Sequence, residues 1–66
     1  MEEEIGIIAG RIWKHLSENG ESVAIKIKLA LNINNTELFL ALGWLAREDK
    51  INIEKENNSI IVKLKK

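Results

Sequence analysis

The side chains able to do covalent chemistry are few. His15 is the single imidazole, the hydroxyls are Ser17, Ser22, Thr36 and Ser59, and there is no Cys. A nucleophile needs a base within hydrogen-bond reach, and none of these residues falls in a recognised catalytic motif. A metal site needs thiolates or several imidazoles, which this chain does not supply. Its acidic residues form neither a HExxH helix nor a calcium loop, and Gly6, Gly10, Gly20 and Gly43 are too widely spaced to cradle phosphate. No catalytic residue, cofactor or metal is therefore expected. Two sets of residues remain for non-covalent work. Lys26, Lys28, Lys63, Lys65 and Lys66 can meet phosphates, and Asn57 and Asn58 can enter a minor groove. Phe39, Leu40 and Trp44, with Gly43 among them, can anchor a protein interface, where Trp often dominates the binding energy.

The overall charge favours neither set strongly. Ten basic residues cancel ten acidic ones, whereas a DNA-binding domain usually carries a basic surplus or stripe. The charges follow a shallow gradient. Residues 1–22 carry five Glu against Arg11 and Lys14, a net of −3. Residues 23–50 carry four basic and three acidic side chains, and residues 51–66 four basic and two acidic, giving +1 and +2. At most about four to five phosphate contacts are available, which predicts weak, salt-sensitive and unspecific binding.

The elements that must position these residues follow from periodicity. Ile5, Ile8, Ala9, Ile12 and Leu16 share one face of a helix over residues 3–18. Glu2, Glu3 and Glu4 suit its positive end, and Asn19-Gly20 closes it. Trp13 falls at the border of the apolar face, and Ile7 points away from it. Residues 24–33 fit two readings. Ile25 to Leu29 alternate as in a half-buried strand, but a helix burying Ala24, Ile27, Ala30 and Leu31 also fits. We read a helix, because a strand would need a partner nearby and both neighbours are helical. Val23 can pair briefly before it. Asn32 to Asn35 form a turn, with Asn34 or Asn35 as cap and Glu37 completing a capping box. The next helix, 36–48, turns Leu38, Ala41, Leu42 and Leu45 to the core and Leu40 and Trp44 away from it. Residues 51–66 alternate as a hairpin around Glu56-Asn57-Asn58-Ser59.

Helix, short strand, helix, turn, helix and hairpin make an α+β winged helix: a three-helix helix-turn-helix core with a C-terminal two-stranded wing, in one domain spanning 1–66. Ile8-Ala9-Gly10-Arg11-Ile12-Trp13-Lys14-His15-Leu16 and Ala41-Leu42-Gly43-Trp44-Leu45-Ala46-Arg47-Glu48 resemble a family of short bacterial winged helix-turn-helix domains of unknown function. The resemblance spans nearly the whole chain and implies the fold. It implies no established activity, and its link to DNA binding is fold-level analogy. Asp49 stands where general winged-helix regulators usually have Gly.

In this fold the third helix normally reads base edges with polar side chains. Here Leu38 to Leu45 hold no charge, so that face is expected to meet a protein. Sixty-six residues without a disulfide or metal make a marginal core, for which association is a remaining aid. The expected function is a non-catalytic interaction module: a homodimer, or a complex with a protein partner, docked through Phe39, Leu40, Gly43 and Trp44. The alternative is a small DNA-binding regulator using Lys26, Lys28, Asn57, Asn58, Lys63 and Lys65. Gly10 and Gly43 cost about 1 kcal/mol each inside helices, and a close helix-helix approach would account for them. The acidic start lacks the basic, apolar pattern of a signal peptide, and uncharged runs such as Leu29–Thr36 are too short to span a bilayer. A cytoplasmic protein with no membrane contact is expected.

Overall fold

The computed structural model describes residues 2–65. Helix α1 (Glu2–Asn19) is followed by a two-residue strand β1 (Ser22–Val23), helix α2 (Ala24–Leu31), helix α3 (Asn35–Arg47) and strands β2 (Ile51–Glu56) and β3 (Ser59–Leu64). The α1 periodicity does its work: Ile5, Ile8, Ala9, Ile12 and Leu16 are buried, Trp13 sits at the edge and Ile7 faces outward. Gly20, at φ 79°, closes the helix as its N–H donates to the Leu16 carbonyl, a left-handed stop that suits glycine.

The ambiguous segment is helical. Ala24 and Ile27 pack inward, and Ile25 and Leu29 face outward. Ala30 corrects the expected core list, for it is exposed. It lies about 90° around the helix from the centre of the buried face, on the flank. The carbonyl of Leu31, at the end of α2, accepts a 3.0 Å hydrogen bond from Arg11 of α1. Asn32 then turns left-handed at φ 55°, and Ile33, though part of a turn, is buried.

The capping box of α3 forms as read. The Glu37 N–H donates to Asn34 Oδ1 at 2.8 Å, and the Asn34 N–H donates to Glu37 Oε1 at 3.0 Å. Two orphan donors are thereby satisfied at the start of α3. At its other end Asp49 takes φ 61°. The Asp49 and Lys50 N–H groups donate to the carbonyls of Ala46 and Leu45 at 3.0 Å each, a Schellman ending. The departure from glycine thus leaves the left-handed turn in place, on a residue type that tolerates it.

The wing is wider than a hairpin. β1 joins β3 antiparallel, giving a three-stranded sheet of order β1-β3-β2. Ile53 pairs with Val62 and Ile51 with Leu64, so this face of the sheet closes the core, where Val62 is fully buried. The opposite face carries Val23, Glu54, Ile61 and Lys63. β2 is an edge strand, exposed from Asn52 to Glu56. The turn at Asn57-Asn58 places Asn57 at φ 54°.

Candidate interaction surface

The inner face of α3 is fully committed. Leu38, Ala41, Leu42 and Leu45 are all buried against α1, α2 and the sheet. The remaining apolar residues of the helix have nowhere to go within the chain. Leu40 is 44% and Trp44 43% exposed, as the spacing requires. Phe39 is exposed as well, but on the other flank of α3, beside Ile25, Asn58 and Ile60. Gly43 lies on the outer surface between the two flanks. The apolar set therefore divides: Leu40 and Trp44 face outward and toward α1, whereas Phe39 faces α2 and the wing tip.

On the α1 side, Trp44 forms one wall of a hollow of about 420 Å³, and Trp13 lies across from it. Gly6, Ala9 and Gly10 line the hollow from α1, and Glu48 and Lys50 lie at its α3 end. Composition and spacing did not reveal this hollow, because it depends on how α1 and α3 cross; the signal available was the shared flank of Gly6, Gly10 and Trp13. The expected close helix-helix approach at Gly10 and Gly43 is not found. A Cβ built at either glycine meets nothing within 4 Å, so packing within the chain does not require them.

The basic set is partly engaged within the chain. Lys26 opens onto a separate hollow near His15, Asn19 and Glu21, and Lys28 is half-buried on α2. Lys63 pairs with Glu54 at 2.7 Å. Its ammonium is held above the usual lysine range, first by the hydrogen bond it donates to Glu54 and by that carboxylate's charge, against an opposing desolvation, and then by the charges of Glu21 and Glu56. Lys65 pairs with Asp49. Asn57 and Asn58 are exposed at the wing tip, and Lys66 lies outside the described residues. Lys63 sits among three carboxylates, Glu54, Glu21 and Glu56. Register explains why the sequence hid this: Glu54 stands opposite Ile61 and Lys63 opposite Asn52, so the ion pair is a diagonal one across the sheet. His15 lies 3.4 Å from the Asn19 side chain; Ser22 lines the same hollow, but its hydroxyl donates to the Val23 carbonyl.

The family model described as Winged helix-turn-helix domain (DUF2582) matches residues 1–64. The chain belongs to this winged helix-turn-helix family. It is similar to an uncharacterized protein of Methanocaldococcus jannaschii, 42% identical over 65 residues, covering 94% of this chain and 91% of the relative. That relative is archaeal, so the likeness is not confined to bacterial members. The fold is compatible with both DNA binding and protein interaction. Among the described residues no helix is long and apolar enough to cross a membrane.

Proposed function

We propose that the protein is a non-catalytic interaction module that forms a homodimer through the outer face of α3. The observation that carries this reading is the exposure of Leu40 and Trp44 where a nucleic-acid reader presents polar groups. Trp13 extends the apolar surface onto α1, and Gly43 leaves the α3 backbone open to close approach. A stable interface buries about 800 Å² per partner, roughly a sixth of the 4732 Å² accessible surface of this chain. Leu40, Trp44 and Trp13 supply its apolar centre, and the charged groups around them its rim.

The test is solution mass at two concentrations, by sedimentation. A mass that rises from monomer toward dimer supports the proposal. A monomer persisting into the millimolar range overturns it.

The second reading is weak DNA binding through the wing, supported by the exposed Asn57 and Asn58 and by Lys26 on α2. Self-association is favoured over it because Lys63 and Lys65 are each engaged by a carboxylate of the chain itself. An NMR titration with duplex DNA at low salt separates the two. Shifts clustered on the wing favour DNA, and no shifts leave the interaction module.

A further inference from the structure

Four residues of α3 form a stripe with an internal symmetry: Glu37, Leu40, Trp44 and Arg47, spaced three, four and three residues apart. At about 100° per residue they fall within roughly 80° of the helix circumference, from the exposed Arg47, Leu40 and Trp44 to the half-buried Glu37 at the edge nearest the core. Reflection about the level of residue 42 exchanges Glu37 with Arg47 and Leu40 with Trp44. Read in either direction, the stripe is charge, apolar, apolar, opposite charge.

Both ends of the stripe have charge to offer. One oxygen of Glu37 accepts the capping hydrogen bond from the Asn34 N–H at 3.0 Å, and the second carboxylate oxygen takes no part in it. Arg47 is exposed, and the ion pairs among the described residues are Lys63–Glu54 and Lys65–Asp49. Its guanidinium is therefore not claimed by one of the described carboxylates.

From this symmetry we infer that the occupant of the α3 face is α3 of a second copy, running antiparallel about a twofold axis near residue 42. The inference rests on the self-association proposed above and specifies its geometry. Leu40 of one copy meets Trp44 of the other, twice, and each Glu37 faces an Arg47 across the axis. A twofold contact requires a self-complementary patch, and this stripe is one. Parallel pairing instead sets Glu37 against Glu37 and Arg47 against Arg47, which is repulsive at both ends. Antiparallel helix dipoles add to the preference. At the small crossing angles common in bundles, about 20°, the charged pairs lie about 7.5 Å along the helix from the axis, within reach of both side chains.

A charge-swap cycle read by sedimentation tests the geometry. Arg47→Glu in the wild-type background raises the dimer Kd on the order of tenfold, because two attractive pairs become repulsive ones. In a Glu37→Arg background the same substitution must instead lower Kd by a similar factor. This reversal of sign is independent of the capping bond, which is lost equally on both sides of that comparison. If Glu37→Arg does not fold by circular dichroism, Glu37→Gln keeps an oxygen for the cap and removes the charge, and the Arg47→Glu penalty must then shrink. A wild-type dimer whose Kd ignores these substitutions, or a cycle without the reversal, overturns the antiparallel geometry while self-association stands. A wild-type monomer throughout overturns both.

Discussion

Two exposed surfaces of this small domain solve the problem of contact with water in opposite ways. The outer face of the sheet is charged, and its charges are answered locally: Lys63 by Glu54, with Glu21 and Glu56 close by, and Lys65 by Asp49 at the end of α3. The α1–α3 face carries Trp13, Leu40 and Trp44 around glycines that no neighbour approaches. The first surface has these charges paired within the chain, whereas the second leaves its large apolar side chains half-exposed. A winged helix that bound DNA through its wing and third helix would have the reverse distribution, with free cations on the wing and polar groups on the helix.

The sharpest way to break this comparison is to set two positions of α3 against each other. Leu38 is 1% exposed and Leu40 44% exposed. Leu38→Ala is expected to cost about 2–5 kcal/mol of folding stability, measured by urea denaturation. Leu40→Ala at a concentration where the wild type is monomeric should cost far less, and its effect should appear in the dimer Kd. Equal stability losses in the monomer would mean that the outer face belongs to the core. A Trp44→Ala variant extends the contrast. As the expected centre of an interface it should weaken association by about 2 kcal/mol or more, with the α-helical circular dichroism retained.

The glycines give a smaller effect. Gly10→Ala meets open space in the monomer and should raise its stability by up to about 1 kcal/mol through helix propensity. Thermal denaturation at low concentration checks this. A loss of stability would reveal a close contact within the chain at that flank.

Smallest are the effects on the charged surface. Lys63→Gln is expected to leave any low-salt DNA affinity unchanged, because that ammonium already serves Glu54; a clear drop would move the wing into the DNA-binding class. Its folded-state pKa is raised above the ordinary lysine value by the Glu54 carboxylate it pairs with. The linked stabilisation is therefore present below the unfolded-state pKa and lost as pH rises through the folded-state one. An NMR titration of the Lys63 side chain should place its midpoint on the alkaline side of the same residue in a Glu54→Gln variant, and coincident midpoints would contradict the pairing.

What the sequence revealed, and what it hid, follows from the range of the interactions. The helices, the capping box at Asn34 and Glu37, the αL stop at Gly20 and the wing turn all depend on residues within a few positions of one another. They were legible, as was the outward direction of Leu40 and Trp44. The strand-like alternation of Ile25 to Leu29 misled only as a pattern, since tertiary context decided for the helix. Ala30 was misassigned because in an eight-residue helix the centre of the buried face is poorly fixed by four apolar positions. The third strand was legible only as a brief pairing at Val23. The hollow between α1 and α3, the two ion pairs and the free space at Gly10 and Gly43 need the crossing of the helices and the register of the sheet. No local pattern encodes those.

The edge position of β2 bears on how large an assembly can grow. An unpaired strand offers backbone donors and acceptors to any other strand, and a dimerising protein with such an edge risks extending into fibres. Here the edge carries Glu54, Lys55 and Glu56 in succession. Adding an identical strand in parallel register would stack like on like, so polymerisation along the sheet is disfavoured.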